Sequence, residues 1–382
     1  MTSKDAPGFR TAPGSVVLVT GSTGFVGARL VEMLLERGAK KVICFDVAVP
    51  ADALLQRFKD AAKGDETKYS IFSGKLGDLT NVESVKAAFD SEEKIDIVYH
   101  IAALVGPFHD RPKYMAVNFG GTKNIIEACR NKKVLRLVNS SSPSTRFDGS
   151  DIEGLREDEL EFPEKFLELY AETKAYAEQE VMKANDPPNF YTTSVAPHQV
   201  YGPHDALFLP NLLEVMGNGR LRIFGKGDNK ISVCYVDNYC HGLMCGADAL
   251  YDNSPALAKF YIITDGPEVY FWKMINEAGM AMGFKDLYAK FHLPYFFLMG
   301  LAHICDFVGY LLNKKFKLKP FNVKMLVIHR YFSIENAKRD LKYEPVIPHE
   351  TAWKGTIEWF LQNWLPGYEA KTGKKSNSKK VD

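Results

Sequence analysis

The chain has 382 residues, 46% of them apolar, and a net charge of +1. That length accommodates one large domain or two modest ones with ample core, and the balanced charge leaves no electrostatic footprint for nucleic acid. The six cysteines form no CxxC pair and no zinc-type spacing with histidine, so they read as buried, reduced thiols in a reducing compartment.

Residues 1–14 lack the apolar run of a signal peptide and read as a flexible N-terminus. The unbroken apolar run 15–20 predicts a buried strand of a parallel sheet. Gly21-Ser22-Thr23-Gly24-Phe25-Val26-Gly27 follows, and a helical pattern runs to about residue 37. Strand, glycine turn and helix together make a phosphate cradle. Gly21 permits the tight turn, Gly24 lets backbone approach a pyrophosphate, and Gly27 lets helix and strand pack closely. The helix start at Phe25 and Val26 offers free N–H groups and the positive dipole end. Residues 41–46 form the next strand, ending in Asp46. It lies about twenty residues past the loop, where a carboxylate binds the adenosine ribose hydroxyls and repels a 2′-phosphate. The pattern predicts NAD rather than NADP.

The alternation continues with a strand at 69–73, then Gly77-Asp78-Leu79-Thr80, with Thr80 as the expected cap of a helix over 82–89. A strand over 95–103 enters a loop at 104–112; a helix over 113–131 carries Asn118; the next strand is 133–139. Such an order predicts an α/β fold, a Rossmann-type doubly wound parallel sheet. Ligands there sit at the carboxyl ends of the strands, which places Asp78 and Leu79 at adenine and gives Ala102 and Ala103 the task of leaving room for the cofactor.

The run Ser140-Ser141-Ser142-Pro143-Ser144 precedes a helix expected over 163–185, which carries Tyr170-Ala171-Glu172-Thr173-Lys174. Positions i and i+4 share a helix face. An ammonium beside a phenol favours the phenolate, and such a tyrosine takes a proton from an alcohol or returns one to a carbonyl. A hydroxyl of the serine run would bond the same oxygen. A strand at 191–196 leads into Pro197-His198-Gln199-Val200-Tyr201-Gly202-Pro203.

Taken together, the glycine loop with Thr20, Gly77-Asp78-Leu79, Asn118-Phe119-Gly120-Gly121-Thr122, the serine run, Tyr170/Lys174, and Pro197-His198 to Tyr201-Gly202-Pro203 resemble an extended short-chain dehydrogenase/reductase. Within that superfamily the chain most resembles the 3β-hydroxysteroid dehydrogenase group, and in it the sterol-4α-carboxylate 3-dehydrogenase (decarboxylating) family. Phe260 to Pro267, Phe271-Trp272, His292 to Tyr295 and Tyr331-Phe332-Ser333 through Ala337-Lys338 extend the likeness over roughly 16–364. The resemblance implies a triad of Ser142, Tyr170 and Lys174, with Ser141 and Ser144 as alternatives to Ser142. It implies that Lys174 also holds the nicotinamide ribose, that Pro197 touches the cofactor, and that Asn118 is structural. Pro143 and Ala196 depart from the family pattern, which has Ala and Arg there. The implied reaction is oxidation of a sterol 3β-hydroxyl by NAD with loss of a neighbouring carboxylate as CO2. A cation should hold that carboxylate; Arg146 is the first choice and Arg111 the second. The alternatives are a 3β-hydroxysteroid dehydrogenase/isomerase, a nucleotide-sugar epimerase or dehydratase, and a non-enzymatic NAD-binding regulator.

In domain terms, 15–205 is the NAD-binding unit, completed by about 233–264, and 206–232 with 265–366 form a substrate lobe discontinuous in sequence. Helices are expected over 207–216 and 235–250. The apolar stretch 295–312 is near the lower limit for a membrane span, and His303 and Asp306 argue against a simple one. It reads either as a buried helix or as a monotopic anchor with Lys314, Lys315, Lys317 and Lys319 at the headgroups, and the anchor is favoured. The Lys-rich tail 367–382 is expected to be disordered. Its Lys379-Lys380 resembles the dilysine retrieval signal, which points to the cytosolic face of the endoplasmic reticulum membrane, with the cytoplasm as the alternative. A homodimer or a sterol-demethylation complex is the expected assembly.

Overall fold

The computed structural model describes residues 10–106, 109–312 and 320–373. Seven strands form one parallel sheet. They are β1 (Val16–Thr20), β2 (Lys41–Asp46), β3 (Tyr69–Ser73), β4 (Ile97–His100), β5 (Arg136–Ser140), β7 (Tyr191–Pro197) and β11 (Phe260–Ile263). Their spatial order is β11-β7-β5-β4-β1-β2-β3, so the chain reverses direction of winding between β1 and β4. The middle strands are buried along their whole length, which is why they read as continuous apolar runs rather than alternating ones. This is the predicted doubly wound sheet.

A second sheet has four strands, and one of them, Ile152–Leu155, comes from the stretch 15–205 expected to belong wholly to the NAD-binding unit. The sheet is built from β6 (Ile152–Leu155), β9 (Lys230–Ile231), β12 (Val269–Tyr270) and β13 (Arg330–Phe332), in the order β12-β9-β13-β6. A short parallel pair, β8 (Val200–Tyr201) with β10 (Cys234–Tyr235), forms a third sheet. A hydrophobic core separate from that of the main sheet surrounds Trp272, Trp353, Phe360 and Leu213.

Several local expectations shift. Asn81, not Thr80, caps the helix Val82–Asp90, its side chain accepting from Glu83 and Ser84 N–H; Thr80 instead donates to Asp78. The strand expected over 95–103 is paired only at Ile97–His100. The helix carrying Tyr170 starts at Leu169, not 163, because Glu168 is still extended. The last helix, Leu365–Thr372, runs into the stretch expected to be disordered from residue 367. Its side chain Tyr368 is buried against this separate core, so tertiary packing holds it. Lys379-Lys380 and the lysines at 314, 315, 317 and 319 lie outside the described residues.

Residues Tyr295–Leu312 form one helix. Leu298 and Ala302 pack on Val323, while Phe296, Phe297, Ile304, Phe307 and Leu311 are exposed. Among the described residues no helix is long and apolar enough to cross a membrane.

Candidate active site

The carboxyl ends of the main-sheet strands open onto a cavity of about 1350 Å³. Its floor is the loop after β1. Gly21 has φ +71°, and a Cβ there would lie 2.8 Å from the Ala102 nitrogen; a Cβ on Gly27 would meet the Gly21 oxygen at 2.0 Å. Both positions therefore require glycine, and with them Gly24, Phe25 and Val26 line the cavity. Asp46 stands at the end of β2, its Oδ2 accepting from Thr23 N–H and its Oδ1 from Ala48 N–H, each at 2.9 Å. The carboxylate that would meet a ribose thus also fixes the glycine loop. Asp78, Leu79, Ala102, Ala103 and Pro197 line the same space. Every residue predicted to contact cofactor is there.

A buried hydrogen-bond chain sets the strand ends. Thr122 Oγ1 donates to Asn118 O at 2.6 Å, so it must accept from His100 Nε2–H at 2.9 Å. His100 Nδ1 is then the acceptor for the Thr20 hydroxyl at 2.8 Å, and Thr20 Oγ1 accepts in turn from Ile101 and Ala102 N–H. Burial, with a smaller push from Lys174, drives the His100 pKa down to about 3, which keeps this neutral tautomer. Asn118 lies in a π-helical stretch, Met115–Gly120. It bonds both backbone groups of Leu104 and donates to Thr173 Oγ1 at 3.2 Å. It ties the β4 loop to the helix Leu169–Lys183, next to Lys174.

The serines separate by partner. Ser140 Oγ pairs with Tyr239 OH at 2.7 Å, and Ser141 donates to buried Glu178. Ser142 shares a 2.7 Å hydrogen bond with Ser144 and lies beside the Tyr170 hydroxyl, favouring its phenolate. Pro143 fits without strain because it is the first residue of a 3₁₀ turn capped by Ser142, a position whose N–H would be unpaired anyway.

Tyr170 and Lys174 both face the cavity. The expected electrostatics differ, however. Burial raises the Tyr170 pKa, and Lys174 is not among the groups acting on it. The ammonium instead donates to Ser140 O, and burial lowers its own pKa to about 8, partly offset by Glu178.

Arg146 does not reach the cavity. Its guanidinium pairs with Glu178, donates to Thr145 and stacks on Phe260 at 3.6 Å. Arg111 is held by Glu172. The sequence reading places a substrate cation at Arg146 because it follows the serine run; the turn at Pro143–Arg146 points it inward to a buried acid instead.

Among the cavity residues to which the sequence reading gave no role are His198 and Arg330. His198 donates from Nδ1 to Ser232 O at 2.7 Å, and burial holds its pKa down to about 3. The Pro197-His198 pair marked it. Arg330, from β13, had no local signal at all.

The site fits a dinucleotide with a second ligand beside it. The glycine floor permits backbone contact, a carboxylate stands where a ribose would lie, and the volume exceeds the ~300–1,000 Å³ of a single small-molecule site.

Comparison with known proteins agrees. The model of the 3-beta hydroxysteroid dehydrogenase/isomerase family matches residues 18–293. The sterol-4-alpha-carboxylate 3-dehydrogenase, decarboxylating, of Homo sapiens is 30% identical over 90% of this chain and 87% of its own length. The protein of that name from Candida albicans is 32% identical, over 91% and 98%. Among solved structures, the epimerase Mth375 of Methanothermobacter thermautotrophicus has a TM-score of 0.70 at 21% identity, covering 96% of this chain and 97% of that one; at that identity the likeness is one of fold.

Proposed function

This chain belongs to the 3-beta hydroxysteroid dehydrogenase/isomerase family, and from that premise we propose that it oxidises the 3β-hydroxyl of a 4α-carboxysterol with NAD, with loss of CO2. It is an oxidoreductase of the extended short-chain type. The observation that carries the reaction is one cavity lined by Ser142, Tyr170 and Lys174 together with the glycine loop and Asp46, and the substrate reading is supported by relatives of that name matching over nine-tenths of the chain.

Tyr170 takes the proton of the 3-hydroxyl, and Ser142 bonds the same oxygen and fixes its position. When bound, NAD supplies the acceptor for the hydride leaving carbon 3. Gly21, Gly24 and the N–H groups of Phe25 and Val26 would hold the pyrophosphate, Asp46 the adenosine ribose, and Lys174 the nicotinamide ribose. The product is a β-keto acid. Its bond to CO2 breaks with the electron pair passing into the enolate, which is then protonated at carbon; no dedicated residue is needed.

The exposed apolar side of the helix Tyr295–Leu312 supports a seat in one leaflet of a membrane, where a sterol would be met directly; the membrane we propose is that of the endoplasmic reticulum, at its cytosolic face. Flotation with vesicles tests it: Phe296→Glu with Phe307→Glu should lose binding, and unchanged flotation would remove the anchor.

The reaction is tested by incubating purified protein in detergent with NAD and a 4α-carboxy-3β-hydroxysterol, beside an uncarboxylated sterol and a nucleotide sugar. NADH and a decarboxylated 3-ketosterol, both absent with Tyr170→Phe, are expected. Turnover of the nucleotide sugar alone would discard the sterol reading.

A further inference from the structure

With Arg146 paired to Glu178, the cation for a substrate carboxylate must come from elsewhere, and the cavity wall holds one. Arg330 opens β13, a strand between β6 and β9, in register with Ile152 and Ile231. Its side chain lines the cavity. The guanidinium lies over the Phe147 ring, 4.8 Å from the centroid. Nη1 reaches only the Met325 sulfur, at 3.7 Å, and Nε is buried with no hydrogen-bond partner. Among the described residues no carboxylate pairs with it.

Arg330 is half-buried, with Nε out of reach of solvent, and a partly desolvated guanidinium without a counter-charge is costly. Burial alone lowers the pKa of Arg330, to about 10, and no acid acts in the other direction; the group is still charged at neutral pH. Its neighbour His198 is neutral and donates to Ser232 O, so it brings no anion. Of the four cavity acids, Glu168 is not among the groups acting on Arg330, and the other three are engaged elsewhere. Asp46 accepts from Thr23 of the glycine loop, Asp78 from Thr80, and Asp205 from the N–H groups of Leu207, Phe208 and Leu209 ahead of and at the start of the helix Leu209–Gly217. Lys113 also lines the space, but it is exposed and keeps its water. A planar, weakly hydrated guanidinium suits a carboxylate better than an ammonium does.

The position is right for the substrate end. Phe147, under the guanidinium, ends the 3₁₀ turn that Ser142 caps. Arg330 is therefore held one short turn from the serine beside Tyr170.

We propose that Arg330 binds the carboxylate that the substrate carries next to its reacting alcohol, and so makes the enzyme selective for carboxylated sterols. This rests on the reading of the reaction given above. Once CO2 has left, the product has no charge for Arg330 to hold, which favours release.

The test uses the full chain in detergent with NAD. kcat/KM is measured for a 4α-carboxy-3β-hydroxysterol and for its 4α-methyl counterpart, in the wild type, Arg330→Gln and Arg330→Lys. NAD affinity is measured for each as a check on folding. The ratio of the two kcat/KM values is expected to fall at least ~30-fold in Arg330→Gln, through KM, with partial recovery in Arg330→Lys. Equal losses on both sterols with NAD binding retained would overturn the role of Arg330 and leave the reaction intact. A wild type that turns over only the uncarboxylated sterol would overturn the substrate reading itself, and the assignment with it. If the glutamine variant fails to bind NAD, the lysine variant decides, because its ratio must still drop.

Discussion

Arg146 donates to both carboxylate oxygens of Glu178, at 2.5 and 3.1 Å, and their side chains are 6% and 0% exposed. The pair lies under the serine run, with Ser141 donating to the same carboxylate. Removing one partner of such a pair strands a buried charge, which costs about 3–5 kcal/mol. Arg146→Ala is expected to lose that much stability in denaturant unfolding. Activity should fall alike on carboxylated and uncarboxylated sterols. Arg146→Met combined with Glu178→Gln should recover most of the loss; a single variant within about 1 kcal/mol of wild type would contradict this role.

Tyr170→Phe removes the proton acceptor and keeps the ring. kcat is expected to fall by ~10²–10⁴ or more, with NAD affinity changed less than about threefold. Isothermal titration beside steady-state kinetics checks both. A kcat within tenfold of wild type would assign the proton to another group.

Lys174 makes stability depend on pH in a defined direction. Its folded pKa is about 8, against an ordinary 10.5, so the unfolded chain binds more protons between those values and stability rises with pH across that window. Below pH 8 the buried ammonium costs roughly 3 kcal/mol. Lys174→Met should therefore be more stable than wild type at pH 7, by up to that amount, with the gap closing by pH 10.5. Urea melts of both proteins at the two pH values measure it, and a constant gap would refute it. The same variant should be nearly inactive, since it lacks the group that would hold the ribose.

Gly27→Ala forces a Cβ to 2.0 Å from the Gly21 backbone oxygen. Neither side can move without opening the loop. Loss of NAD binding and a fall of ~3 kcal/mol or more in stability are expected. Normal NAD binding by this variant would mean that the loop is not the phosphate site.

Asp46→Ala removes the carboxylate beside the expected ribose and the acceptor of Thr23 N–H in the glycine loop and of Ala48 N–H. The kcat/KM ratio of NADP to NAD should rise at least ~10-fold, chiefly through weaker NAD binding. An unchanged ratio would leave Asp46 with only its loop-fixing role.

What the sequence alone determined is what is local or periodic. Apolar runs broken by turns determine a parallel sheet, because a strand covered on both faces has no polar side. Gly21 and Gly27 determine the cradle, because no other residue fits there. The four-residue spacing of Tyr170 and Lys174 puts both on one helix face. Tertiary structure decided which groups find partners. Ser142 rather than Ser141 stands at Tyr170 because Glu178, two turns along the same helix as Tyr170, takes Ser141. Arg146, adjacent to the serines in sequence, turns inward to the same Glu178. Arg330 arrives from a distant strand and is left without an anion. Lys174 bonds Ser140 O rather than depressing the Tyr170 pKa. A charged side chain goes where its desolvation is best compensated, and those partners come from elements far apart in the chain.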